Sequence, residues 1–488
     1  MGKFLDICAM CLRWGIFIFF SIIFLLSLVI KPMYHFQDYP YFEWVNSLDI
    51  VCICAMGIIT YGIYKCREEI EKRLSVKKII VGFIVVSLIY IALVPLEAFS
   101  DMKQIYEGAL IFAQEGFSGL RGIEYFKVYP NNIVITIVYG IILMIFPQSI
   151  VTLKIINIAI VLGTAIVIQK LWAIQNSKYT NIVLLFNLAF LPIIIYINHI
   201  YTDLLFVMCT LAAVYIYIKC GKKIIAPMII LAMTYFIRPI AVIFIVAVLI
   251  DYICYVYEKR AKTKIKEIII ASIIGILIFG TSNMIITKYV ADEQEQRIPV
   301  WSFIYMGFNQ EEFGFQDDSH DANRTPSQII DRIKGYSAKE MLELIGKKVF
   351  WTWGEGTYQA ARYGFGANVE NEEDKFLYTT PITKYLKTNE QPLRQIVNSI
   401  MRSQYIILLG FSLIYCVKER KDDVKVIYLV ILGTLIFYTI WEIKSRYIIH
   451  LYPFMLLAAD KIMFLDNRKR YENQDEVRIV DAGKMLQD

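Results

Sequence analysis

Long apolar runs recur along this chain, and nothing constrains its fold more. They cover residues 14–30, 50–64, 79–95, 151–170, 181–198, 204–219, 224–237, 240–257, 268–288, 404–417, 424–441 and 447–464. A helix that crosses a bilayer needs about 20 predominantly apolar residues, and tilt or local thinning absorbs departures from that length. With 57% hydrophobic and only 19% charged residues, no water-soluble packing hides this much apolar surface. The composition therefore predicts an all-α polytopic membrane protein of about twelve crossings. The first run resembles a signal peptide but lacks a small-residue cleavage site and ends at Lys31-Pro32, so it reads as a retained helix.

Charge sets the expected orientation. The net charge of +6 sits in short loops, as in Lys65 to Lys78 with its six Lys and Arg, and cytoplasmic loops carry that excess. Orientation in a lipid bilayer accounts for it, and no basic, aromatic-interleaved groove suggests nucleic acid. All nine cysteines fall in predicted spans or cytoplasmic segments, and neither Cys52-Ile53-Cys54 nor Cys8 with Cys11 has the partners of a zinc site. The run 131–146 is short and follows Tyr129-Pro130-Asn131-Asn132. Were it to cross, the later basic loops would lie outside; a re-entrant or interfacial segment keeps them inside together. The chain then divides into two N-terminal helices with a basic cytoplasmic loop (1–78), a membrane core (79–289) with a first outer loop (98–130), an extracytoplasmic lid of mixed helix and loop (290–403), C-terminal helices (404–465) and a cytoplasmic tail (466–488). Both termini are expected in the cytoplasm of a cell-membrane protein.

On that topology, polar groups that are costly near hydrocarbon gather on the outer face. Asp101 follows the apolar run that ends at Pro95, where a base could meet lipid-borne and water-borne substrates alike. His199-Ile200-Tyr201-Thr202-Asp203 interrupts two apolar segments, and Arg238-Pro239 breaks a third. A guanidinium at that level suits a phosphate or carboxylate; the alternative is a structural pair with Asp203 or Asp101. Glu442, Lys444 and Arg446 form a further outer cluster close to His450, with interfacial anchoring as its alternative reading. Trp353 and Glu355, in the Trp/Gly-rich stretch 351–358, combine aromatic faces with a carboxylate, as sugar-stacking surfaces do, though aromatics also anchor lids. The four histidines have no metal-ligand spacing, and Ser319-His320-Asp321 reads as a solvated acidic loop.

In the order Ser100-Asp101, Tyr129-Pro130-Asn131-Asn132, Tyr201-Thr202-Asp203, Arg238-Pro239, the stretches 301–307 and 351–358, and Arg446-Tyr447 with Tyr452-Pro453, the chain resembles the GT-C class of integral-membrane glycosyltransferases, especially the polytopic kind of Gram-positive bacteria. The likeness spans about residues 79–465. It implies a GT-C-like bundle, a polyprenyl-phosphate sugar donor, and inverting transfer to an extracytoplasmic acceptor such as a teichoic acid or other cell-wall polymer, a glycan, a lipid or a protein. It also implies roles: Asp101 as general base, Arg238 as phosphate clamp and Asp203 as the second acid. His199, Lys444, Arg446, Glu442, Trp353, Glu355 and Tyr129 would contact substrate. The second acid stands outside any Asp-x-Asp motif, so no cofactor is implied and a divalent metal has no support in the sequence. There is no Gly-rich phosphate loop either. The rival readings are a lipid-linked saccharide flippase or transporter and a polysaccharide polymerase or ligase.

Overall fold

The computed structural model describes residues 2–34, 39–175, 178–258, 265–289, 298–316, 323–366, 375–418 and 425–464. It opens with α1 (Gly2–Ser27), which runs without proline through an apolar sequence. Past the end of the first apolar run, an antiparallel hairpin forms from β1 (Ile30–Tyr34) and β2 (Pro40–Trp44), with Ile30 opposite Trp44 and Tyr34 opposite Pro40. The all-α expectation is corrected here. Ile30, Tyr34, Tyr41, Phe42 and Trp44 are strand-favouring residues, and a two-stranded ribbon is all edge, so its prolines cost little. Then α2 (Ser47–Lys65) starts from a capping box between Asn46 and Asp49. Next, α3 (Arg67–Arg73) holds the basic turn and α4 (Val76–Leu93) leads back.

Between α4 and the next long helix, α5 (Ser100–Glu115), α6 (Phe117–Leu120), α7 (Glu124–Val128) and α8 (Ile133–Ile145) form a side structure. α8 lies tightly on α5, because a Cβ on Gly140 would come within 2.5 Å of Phe112. The chain returns in α9 (Ile150–Gln175) to the place it left: Lys154 Nζ donates to Leu96 O at 2.6 Å. At the other end, the Asn181 backbone N–H donates to Glu71 at 3.1 Å. α4 and α9 are therefore antiparallel neighbours, and the 131–146 segment does not carry the chain from one end of the bundle to the other.

α10 (Thr180–Leu188) and α11 (Leu191–Ile195) follow, bent by 59° at their break, then α12 (Thr202–Lys219), α13 (Ile225–Tyr235), α14 (Ala241–Glu258) and α15 (Ile265–Tyr289). The polar region supplies α16 (Val300–Gly307), α17 (Pro326–Lys334), α18 (Ala338–Gly354) and α19 (Ala360–Phe365). α20 (Pro381–Lys418) is 38 residues long with Pro392 inside it, so the expected boundary at 403 falls within one continuous helix. α21 (Lys425–Ile440), a 3₁₀ turn at Ser445–Leu451 and α22 (Tyr452–Phe464) complete the bundle. Eight described helices are long and apolar enough to cross a membrane, or nine with the bent pair as one span. Exposed apolar side chains such as Ile58 on α2 and Ile276 on α15 are the surface that a bilayer would cover. This is a multi-pass helical integral membrane protein.

Candidate functional site

The site is assembled at the turns where α4, α11, α13 and α21 end. Ser100 enters α5 with φ +48°, a left-handed conformation unfavourable for a residue with a Cβ, and the next residue is Asp101. This half-buried carboxylate accepts from Tyr125 Oη at 3.0 Å and, more loosely, from Tyr201 Oη at 3.5 Å. Asn132 ties the two phenols together. Its amide donates to Tyr125 Oη at 2.6 Å, and its carbonyl lies 3.3 Å from Tyr201 Oη. Burial pushes the Tyr125 hydroxyl far up, reinforced by Tyr201 and Asp101, so it stays a neutral donor to the acid. Tyr129, at the end of α7, packs its ring against Tyr125 at 5.2 Å in a tilted arrangement.

Backbone carbonyls in the turn before α12 are taken up by buried polar side chains. Asn157 of α9 donates to Ile197 O and His199 O at 3.0 Å each, and Asn198 donates to Val94 O and Gly364 O at 3.0 Å. The turn is thus fixed, and its two polar side chains point together. Asp203, fully buried in the first turn of α12, accepts from Arg238 Nη1 at 2.5 Å and lies 3.2 Å from His199 Nε2 and 3.6 Å from Arg446 Nη1. Burial holds the His199 ring below its ordinary pKa, despite the opposing hydrogen bond to Asp203, so the imidazole is neutral at neutral pH. One carboxylate serves two guanidiniums here.

Tyr201 joins the two halves. Its hydroxyl meets Asp101, and its ring carries the Arg446 guanidinium at 4.9 Å; Tyr363 of α19 supports the same cation at 4.8 Å. Asp101, Tyr201, Arg446, Asp203 and Arg238 therefore form one continuous chain of contacts. Glu442 acts at one remove: it accepts from Tyr447 Oη at 2.6 Å, and the Tyr447 ring faces both Arg238 and Arg446 at 5.5 and 5.7 Å.

Three expected residues do not join. Lys444 lies over Phe315 at 5.5 Å, while its neighbour Ile443 is bound to Gly314 by a backbone hydrogen bond. Trp353 is 2% exposed and packs edge-on to Phe19 at 4.9 Å, so its ring is a core contact with α1 and offers no free stacking face. Glu355 is buried beyond it, accepting from the Thr357 hydroxyl and backbone N–H and from the Gln359 N–H, and burial raises its pKa. Sequence reasoning missed Tyr125 and Tyr363, which carry no motif of their own, and quoted Asn132 within Tyr129-Pro130-Asn131-Asn132 without giving it a role. His320 and its acidic neighbours lie outside the described residues. Among the described residues no group of three or more His, Cys, Asp or Glu could hold a metal ion.

The profile of a family described as conserved hypothetical integral membrane protein matches residues 7–464. No curated protein and no solved structure matches the chain.

Proposed function

We propose that this chain, which belongs to the family of conserved hypothetical integral membrane proteins, is a polytopic GT-C-like glycosyltransferase of the cell membrane. It moves a sugar from a polyprenyl-phosphate donor to an extracytoplasmic acceptor with inversion. Counting α13, α15, α21 and the bent pair beside the other spans gives about twelve passes, with both termini at the basic, cytoplasmic end. The observation that carries this reading is the bridging position of Tyr201, between an accessible carboxylate and a pair of guanidiniums.

The chemistry divides along that bridge. Asp101 takes the proton of the acceptor hydroxyl as its oxygen bonds to the anomeric carbon. The carbon–oxygen bond to phosphate breaks, and the phosphate leaves with the electron pair toward Arg238 and Arg446, whose positive charge stabilises it. Asp203, with His199 beside it, holds those guanidiniums in place. The Arg238 side chain keeps 12% exposure, so it is open to an incoming anion although Asp203 is sealed.

Membranes containing the protein, incubated with a panel of radiolabelled polyprenyl-phosphate sugars, provide the test. Asp101→Asn should insert normally and lose transfer by two orders of magnitude or more, in line with the roughly 10²–10⁴-fold contribution of a general base. Undiminished transfer by that variant would remove Asp101 from the mechanism, and no transfer from any donor by the unsubstituted chain would sink the reading. A transport reading has one observation in its favour: Asp460, wholly buried within a candidate span near Asn187, is an ionisable group of the kind that marks substrate paths. Loss of lipid-linked saccharide movement in Asp460→Asn, with no transfer activity in either protein, would favour it.

A further inference from the structure

The side structure between α4 and α9 presents two unlike faces. Its main helices are closely fitted: besides the contact of Gly140 with Phe112, a Cβ on Gly108 would come within 2.9 Å of Thr136. On α5 the outward positions are polar. Lys103 and Glu107 meet one turn apart at 3.9 Å, and exposed Gln114 donates to Gln148 at 3.2 Å. On α8 the outward positions are apolar: Ile141, Met144, Ile145 and Phe146 are all exposed, Ile145 by 72%. Ile135, Thr136, Tyr139 and Leu143 are buried on the opposite side of the same helix. Four large apolar side chains gathered at one helix end form a surface that calls for an apolar partner.

The level of α8 in the bundle identifies that partner. At its start, the Asn132 carbonyl lies 3.3 Å from Tyr201 Oη, and farther along Tyr139 Oη donates to Tyr201 O at 2.9 Å; Tyr201 immediately precedes the candidate span Thr202–Lys219. At its other end, a short turn leads into the candidate span Ile150–Ile174, whose first turns expose Val151 and Ile155 in the same way. Both ends of α8 therefore meet the starts of spans, at one and the same end of the bundle. Its 13 residues reach only about 20 Å, against about 30 Å of hydrocarbon. A helix so placed lies along the membrane boundary.

We propose that α8 rests on bilayer lipid at the leaflet where α9 and α12 begin, with the face of Ile141, Met144, Ile145 and Phe146 among the acyl chains and α5 above it in the headgroup water. Helices with one apolar and one charged face bind in the plane of a membrane, and here a fitted pair of helices divides the two faces between them. Asn132, just before α8, holds Tyr125 and Tyr201 beside Asp101, so the seating of α8 in lipid sets the level of that carboxylate. This contact with lipid does not depend on the reaction carried out at Asp101.

Photocrosslinking of the full-length protein in its own membrane reads the neighbour directly. p-Benzoylphenylalanine replaces Ile141, Ile145, Lys103 or Glu107 in turn, each an exposed position. After irradiation and purification, intact mass should show lipid adducts about tenfold more abundant from positions 141 and 145 than from 103 and 107, the contrast between acyl chains and headgroup water. The proposal is overturned if adducts are no more frequent from α8 than from α5, or if positions 141 and 145 yield mainly a crosslinked dimer, which would make this face an interface with a second copy. In nanodiscs, the pair Ile141→Gln and Ile145→Gln should raise amide hydrogen exchange across residues 124–133 severalfold and leave α12 unchanged. Unaltered exchange in 124–133 would overturn the link to Asp101.

Discussion

Two sets of buried arginines sit in this bundle, one in direct contact with a carboxylate and one bonded to backbone carbonyls. Arg238 and Arg446 share Asp203, with His199 and the rings of Tyr201, Tyr363 and Tyr447 around them. Arg402 touches only the carbonyls of Ser27 and Ile30 through one nitrogen, with the other two unpartnered. An anion reaching the first pair competes with a carboxylate already in place, so binding there is exchange and suits a group that must leave again. Arg402 forms no direct ion pair among the described residues, and Asp49 and Glu355 share its cavity.

Removing the central groups tests that contrast most severely. Asp203→Ala strands two buried guanidiniums and should cost about 3–5 kcal/mol, the scale on which breaking a buried ion pair acts. Arg402→Leu strands only the carbonyls of Ser27 and Ile30 and should cost about 1–3 kcal/mol. Thermal unfolding of the detergent-purified variants orders the two. Should Arg402→Leu be the more damaging, its guanidinium is a structural strut and the contrast fails.

Tyr201→Phe sharpens the first site from within. The ring that carries Arg446 remains, while the loose 3.5 Å contact to Asp101 and the 3.3 Å contact to Asn132 disappear. Neither bond is short, so stability should fall by only about 0.5–1.5 kcal/mol. Sugar transfer should fall further than that, because Asp101 then keeps Tyr125 as its only phenol. A loss of transfer that merely follows the loss of folded protein would show that Tyr201 works as packing.

Much of this was legible from residue order. The apolar runs correspond to helices, and His199 and Asp203, one helical turn apart across the start of α12, converge with Arg238 from an adjacent break. What could not be read depends on partners distant in the chain. Tyr363 gains its role by lying against Arg446, and Arg402 stands at the end of the expected lid region, where the sequence says nothing about α1 carbonyls. Trp353 misled for a physical reason: aromatic and glycine residues together suit a sugar platform or a tight helix contact equally well. Contact with Phe19 decides for the second. The β1–β2 hairpin was hidden because its prolines weigh against a strand, although a two-stranded ribbon tolerates them.

Lys348 stands between the two cases, and its effect should be the smallest. It is fully buried in α18, donating to Gly307 O at 2.6 Å, and its nearest carboxylate influence is Glu442, whose Oε1 is engaged by Tyr447. Burial pushes its pKa down to about 7, with Glu442 opposing. An amine whose pKa is lower in the folded chain binds its proton more weakly there. From about pH 7 up to its unfolded value of about 10.4, the unfolded chain therefore holds more protons, and stability rises with pH across that window. Below about pH 7 both states are protonated, and the folded state carries the full penalty of a buried ammonium. The unfolding midpoint should climb between about pH 6 and pH 9, and Lys348→Met should flatten the climb although it also loses the bond to Gly307. An unchanged slope in Lys348→Met would assign the pH response to other groups and make Lys348 a third cation held, like those beside Asp203, by a partner that neutralises it.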